Sequence, residues 1–304
     1  MEMELFAQKV RKGVQKMLKE EAETTVQKVC KNNGVVLYGL TILKAGQNAS
    51  PTIYLEIFLE MYEEGVPFST IIDKILKTYE KGMPKSKIDM DFFRDYDKIK
   101  DKIAFKLINA RKNAGLLEQI PHIIFLDLAI CFYYAFYHPD MGEGTILIYN
   151  SHLDLWDKDT NDMLKLAKVN TPRIFKAELK SMESVIEELL LDTDIDSGWE
   201  PKERIISPLV PMQILSNKKR TFGAACILYP NLLKKISNSF SKNFYVLPSS
   251  VHEVILLADS GLENPRKLQE MVQDINETQV EPEEILSDHI YYYDQRSENL
   301  KRLF

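Results

Sequence analysis

Residues 212–257, MQILSNKKRTFGAACILYPNLLKKISNSFSKNFYVLPSSVHEVILL, constrain the fold more than any other stretch of this chain. Near its end, residues 244–247 and 251–257 are apolar, β-favouring runs. Between them lie Pro248, Ser249 and Ser250, and a proline, having no backbone donor, interrupts a ladder. Upstream, residues 222–229 read as another strand, small at Gly223, Ala224 and Ala225 so that a helix can pack close. That helix is expected over 231–241, with Asn231 as its N-cap and Leu232, Leu233 and Ile236 on its buried stripe. The stretch therefore parses as a β-β-α-β-β unit.

The rest of the chain alternates irregularly between elements. Residues 3–20 space Leu5, Val10, Val14, Met17 and Leu18 as one face of an amphipathic helix. Residues 24–32 and 35–44 are β-rich around Asn32-Asn33-Gly34, and Asn-Gly is the strongest short hairpin signal. Ser50-Pro51 predicts an N-cap followed by proline at the first helical position, with Phe58, Leu59 and Tyr62 inward and Gly65 as the stop. A helix is expected over 69–80 and a polar linker over 81–87, then helical turns over 91–102, a strand over 103–110 and a short helix over 113–119. Residues 123–137, IIFLDLAICFYYAFY, read as one core strand entering a hairpin with 145–149. A helix over 160–169 is expected to stop at Asn170-Thr171-Pro172, and residues 191–202 read as loop. Asn264-Pro265 opens a helix burying Leu268, Met271, Val272 and Ile275, and the tyrosine-rich residues 289–294 read as an edge strand.

Frequent hairpins without serial βαβ units predict an α+β fold with antiparallel or mixed sheets. A length of 304 residues allows one large or two ordinary domains. The division is drawn as an N-terminal region, 1–118, and a C-terminal region, 119–304. A net charge of −6 argues against non-specific nucleic-acid binding. No apolar run reaches the ~18 residues of a membrane span, and residues 1–12 lack a signal peptide's apolar core. The expectation is a cytoplasmic protein with no membrane association. Cys30, Cys131 and Cys226 are odd in number and widely spaced, and read as buried free thiols.

The chain carries no phosphate loop, dinucleotide fingerprint, HExxH or CxxC motif. The catalytic candidates are Ser250, His252 and Glu253. On an extended chain Ser250 and His252 share a face, so hydroxyl and imidazole meet as nucleophile and base, with Glu253 or Asp154 orienting the ring. The plainer reading makes Ser249 and Ser250 turn residues bonded to local backbone, and His252 a buried neutral imidazole among Val251, Val254 and Ile255. Ligand-binding candidates are His152, Asp154, Trp156 and Asn170. His-x-Asp spacing suits a metal held near His152, Asp154 and His252, but only two regions contribute, so no metal site is assigned. Lys218-Lys219-Arg220 could touch phosphate, although charges at a turn tip are usually solvated.

Five strings occur in order: Lys31-Asn32-Asn33-Gly34, Ser50-Pro51-Thr52-Ile53-Tyr54-Leu55, Asn170-Thr171-Pro172, Gly223-Ala224-Ala225, and Leu247-Pro248-Ser249-Ser250-Val251-His252-Glu253-Val254. Together they resemble an uncharacterised bacterial family, a domain of unknown function common in anaerobic gut bacteria, over residues 5–293. Pro211-Met212-Gln213 departs from the tyrosine-containing strand usual before Ile214. The resemblance implies no activity, cofactor or catalytic residue. Absence of strong motifs favours a non-enzymatic binding or regulatory protein for a protein or small-molecule partner, and the alternative is a hydrolase built on Ser250 and His252.

Overall fold

The computed structural model describes residues 1–84, 91–138, 142–185, 212–248 and 250–304. Ser249, Pro211 and the loop expected over 191–202 lie outside the described residues. The chain divides into two compact units, 1–94 with 136–145, and 95–135 with 146–304. The boundary drawn from sequence at 118/119 falls inside the second of these.

In the first unit, helix α1 (Met3–Leu18) buries Phe6, Ala7, Val10 and Val14 completely. Leu5 and Met17, expected inward, are exposed, because Phe6 and Ala7 take the inward positions. Strands β1 (Ala22–Cys30) and β2 (Val36–Lys44) pair in antiparallel register from Ala22 opposite Lys44 to Cys30 opposite Val36. Asn33 and Gly34 between them both have positive φ (61° and 70°), the backbone a tight hairpin turn demands. Ser50 does not cap a helix. A short third strand, β3 (Thr52–Tyr54), follows it, and the Ser50 hydroxyl oxygen accepts the Ile42 N–H at 3.2 Å. Helix α2 (Glu56–Glu63) starts later, and α3 (Phe68–Gly82) lays Ile71, Ile72, Ile75 and Tyr79 into the same core.

The second unit holds two sheets. Strand β4 (Ile103–Asn109) and strand β5 (His122–Phe125) flank β6 (Leu128–His138), which also pairs with β7 (Gly142–Leu147), and residues 136–145 of that hairpin are counted with the first unit. Thus the expected strand over 123–137 is two strands. The chain reverses at Leu126-Asp127, where Leu126 has φ 57° and the Asp127 carboxylate accepts the Ser287 hydroxyl at 2.6 Å. A tertiary bond from Ser287 fixes this turn, and a lone aspartate in an otherwise apolar run is too weak a local signal to mark the break. After the single-turn helices α4 (Tyr96–Ile99) and α5 (Ala114–Leu117), helix α6 (Asn150–Trp156) precedes α7 (Thr160–Ile174), which runs through Asn170-Thr171-Pro172. Proline there removes one hydrogen bond close to the helix end, and burial compensates. The Thr171 hydroxyl accepts the Phe105 N–H at 3.0 Å and donates to the Ala167 carbonyl at 2.6 Å.

The larger sheet orders six antiparallel strands as β13-β12-β10-β11-β9-β8. They are β8 (Ala177–Ser181), β9 (Met212–Asn217), β10 (Phe244–Pro248), β11 (Val254–Ala258), β12 (Ile290–Asp294) and β13 (Asn299–Leu303). The α+β architecture and the C-terminal strands are as expected, with two changes of detail. Residues 223–228 form a 3₁₀ helix (Gly223–Leu228) where a strand was expected, and β12 is interior, flanked by β10 and β13. Helix α8 (Leu232–Phe240) follows Asn231, which adopts φ 59° and makes no side-chain cap. Helix α9 (Pro265–Thr278) is capped by Asn264, whose carboxamide oxygen accepts the Arg266 N–H at 3.0 Å. It buries Val272 and Asn276, while Met271 is left exposed.

Candidate functional site

Strand β9 ends in Ser216 and Asn217, both buried, and each fastens the following turn. The Asn217 carboxamide oxygen accepts the N–H groups of Lys219 (3.0 Å) and Thr221 (3.3 Å), and its amide donates to the Thr221 carbonyl at 2.8 Å. This fixes the basic triplet Lys218-Lys219-Arg220 in a turn where Arg220 and Phe222 take φ 49° and 51°. For L-residues the left-handed region costs roughly 1–2 kcal/mol each, so tertiary bonds must hold it. Gly223 is one such anchor. A Cβ there would land closer than 3.0 Å to Ser216 Oγ, the His252 carbonyl oxygen and Asn217 N.

Residues 250–253 dock on this turn. Ser216 Oγ donates to the His252 carbonyl at 2.7 Å, the Ala224 N–H to the Val251 carbonyl at 3.3 Å, and the Val251 N–H to the Glu284 carbonyl at 2.8 Å. His252 Nδ1 accepts the Phe222 N–H at 3.2 Å, and the two rings stack at 5.8 Å and 11°. The neutral ring consequently carries its proton on Nε2, which lies 3.5 Å from Glu284 Oε1. Ser250 is not served by that ring. Its hydroxyl oxygen accepts the His252 backbone N–H at 3.0 Å, the geometry of a local serine turn. The residues do not share a strand face, because the chain bends between β10 and β11. Of Glu253, it is the carbonyl that is used, accepting the Ser250 N–H at 3.2 Å. Glu284, which sequence reasoning missed, takes the carboxylate position facing His252. With a third of its side chain exposed, His252 is also not the buried apolar imidazole expected.

The other candidates lie apart from this turn. His152 sits in the first turn of α6, where Nδ1 accepts the Tyr149 N–H at 3.0 Å and the ring stacks on Trp156 at 5.6 Å. Burial pushes its pKa down. Trp156 is a core residue against Tyr96, and Asp154 is exposed on the helix. Asn170 is structural, since its amide donates to the carbonyls of Lys100 (2.8 Å) and Ile103 (3.1 Å) and its oxygen accepts from Arg173. Among the described residues no group of three or more His, Cys, Asp or Glu is arranged to hold a metal. Two of the three cysteines are buried as expected, but Cys30 is exposed at the end of β1.

One further residue emerges only from the fold. Lys106 lies within the otherwise apolar segment IAFKLIN, opposite Cys131 of β6, and its Nζ rests 4.6 Å from the centroid of the Phe222 ring. Burial lowers the ammonium pKa, outweighing an opposing contribution from Cys131. The Cys131 thiol is pushed up to about 12 by burial, so it stays protonated and supplies no counter-charge. Among the described residues no carboxylate or hydrogen-bond acceptor meets the Lys106 ammonium. Tyr133 packs edge-on against Phe222 at 5.2 Å and at 6.1 Å from Phe175, and Lys219 Nζ lies 5.8 Å from the Phe175 ring. Two cations over two joined rings form a cationic–aromatic patch in a chain of net charge −6. The lone lysine amid apolar residues was its one legible signal.

A model of a family described as being of unknown function, DUF5688, matches residues 3–295. No curated protein matches the chain, and no solved structure matches it. No helix of the described residues is long and apolar enough to cross a membrane.

Proposed function

The chain belongs to this family of unknown function, which hands it no activity, and we propose from its own geometry that it is a non-enzymatic binding protein whose ligand is a small organic anion. The anion is received at Lys106 beside the Phe222 ring. One observation carries this reading: the Lys106 ammonium rests on a ring and meets no carboxylate among the described residues. A cation–π contact returns about 0.5–2 kcal/mol, whereas withdrawing an ion from water costs several kcal/mol. The free protein thus holds an uncompensated charge that an anion would offset. The exposed turn at Lys218-Lys219-Arg220 would add attraction on approach. The hydrolase reading draws no support from the geometry, because Nδ1 of His252 is occupied and Nε2 faces Glu284. Cytoplasmic residence and the bacterial origin implied by the resemblance belong to the same reading, with the free thiols of Cys30, Cys131 and Cys226 supporting the former.

The test is a thermal-melt screen with phosphate, citrate, a nucleoside monophosphate and an acidic peptide, on wild type and Lys106→Met. A saturable rise in Tm that is absent from Lys106→Met is expected for citrate or the nucleoside monophosphate, and a rise with phosphate alone overturns the organic ligand. No rise with any of them, or an equal rise in both proteins, overturns the reading, and a rise with the peptide alone replaces the small anion with an acidic protein segment.

A further inference from the structure

A second place in the same unit is built for a ligand and owes nothing to the Lys106 patch. A cleft of about 280 Å³ opens beside the start of α8, lined by its first turn, by Tyr293 of β12, and by the apolar side chains of Phe125, Leu228 and Leu300. That volume sits at the small end of ligand sites, roughly 300–1,000 Å³. The helix terminus facing it is uncapped. Asn231 contributes no side-chain bond, and Leu232 N–H is spent on the Tyr229 carbonyl at 3.2 Å. Among the described residues the N–H groups of Leu233 and Lys234 meet no acceptor. Such donors, with the positive end of the helix dipole behind them, favour an anion.

Tyr293 supplies an independent sign. It is 4% exposed, lines the cleft, and its hydroxyl has no hydrogen-bond partner among the described residues. Burial and then Glu298 raise the hydroxyl's pKa while Lys234 lowers it, which sets the group beside the ion pair at the rim. The ring is buried but the hydroxyl is not sealed from solvent, so an acceptor arriving in the cleft would take the place of water on it. Lys234 and Glu298 themselves pair at 2.5 Å, each about half exposed. Their charges cancel, so the rim offers no net attraction to the second charge of a phosphate, and the helix end alone suits a monoanion.

We propose that this cleft binds the carboxylate of a small apolar acid, with Leu233 N–H, Lys234 N–H and the Tyr293 hydroxyl donating to it and the hydrocarbon part lying on Phe125, Leu228 and Leu300. The hydroxyl gains a charged acceptor and the helix gains the cap its sequence lacks. Glu298 acts as a brake, since its carboxylate holds Lys234 and lies near the incoming anion.

Calorimetric titration of the full chain with hexanoate tests this, with hexan-1-ol and acetate as the tail-only and head-only probes. Hexanoate is expected to bind at one site, and each control at least tenfold more weakly. Tyr293→Phe should weaken hexanoate about tenfold and melt like wild type, because the hydroxyl has no internal partner to lose. Glu298→Gln should tighten it, and Lys106→Met should leave it unchanged. Equal binding of hexanol, no detectable heat with hexanoate at millimolar concentration, or an unchanged affinity in Tyr293→Phe would each overturn the proposal.

Discussion

Gly223→Ala is the sharpest test of the turn that seats His252. The added methyl would fall closer than 3.0 Å to three atoms at once, Ser216 Oγ, the His252 carbonyl oxygen and Asn217 N. Two of these are backbone, so no side-chain rotation relieves the clash. The chain must separate residues 216–217 from 252, breaking the 2.7 Å bond from Ser216 Oγ to the His252 carbonyl. Overpacking costs about 1–3 kcal/mol, and the lost hydrogen bond about 0.5–1.5 kcal/mol. Together they give a destabilisation of about 1.5–4.5 kcal/mol, by simple addition of those ranges. Gly115→Ala is the matched control, since nothing lies within 4 Å of its added Cβ and it sits in the short helix α5 (Ala114–Leu117). There alanine should be neutral or stabilising by up to ~1 kcal/mol. Urea melts of the two variants against wild type measure the difference. If Gly223→Ala lies within ~0.5 kcal/mol of wild type, the level of an ordinary surface change, the close approach does not constrain this turn and the reasoning fails.

Three further outcomes follow from the same geometry. Ser250→Ala should cost about 0.5–1.5 kcal/mol in denaturant melts through loss of the acceptor for His252 N–H, and a fluorophosphonate probe should label neither protein; labelling of wild type that vanishes in the variant would restore the hydrolase. In the native protein a thiol-disulfide reagent should titrate Cys30 quickly and leave Cys131 and Cys226 untouched at pH 8, because burial pushes both of those thiols up to about 12 and the thiolate is the reactive form; three fast thiols would contradict the packing. Lys106→Met should raise the stability of the ligand-free protein at pH 7. With the folded pKa of Lys106 below its unfolded value, the unfolded chain binds more protons in the window beneath about pH 10.5, so wild-type stability rises with pH there and the advantage of the variant shrinks; a constant difference between pH 7 and 10 in denaturant melts would show that Lys106 pays no such penalty.

Local physics settled much of this molecule in advance. The 3.6-residue spacing of Ile71, Ile72, Ile75 and Tyr79, and the left-handed Asn33-Gly34 turn, act over a few residues and need no partner to be read. The α+β class followed from that patterning. What distant contacts decide stayed hidden. Residues 222–229 have the composition of a strand, yet Phe222 takes a left-handed backbone and Gly223 is pressed against residues 216 and 252, which wind Gly223–Leu228 into a 3₁₀ helix. Leu126-Asp127 turns because Ser287, 160 residues away, bonds the aspartate. His252 reads from sequence as a partner for Ser250 or as an imidazole in an apolar setting, whereas its carboxylate neighbour, Glu284, comes from a segment no local rule connects to it. Lys106 and Phe222 are 116 residues apart in sequence, and only the packing that sets an ammonium 4.6 Å from a ring makes the lysine distinctive. Sequence periodicity reports which side of an element faces inward; which side chains meet there is set by the closure of long loops, and the candidate sites lie at those closures.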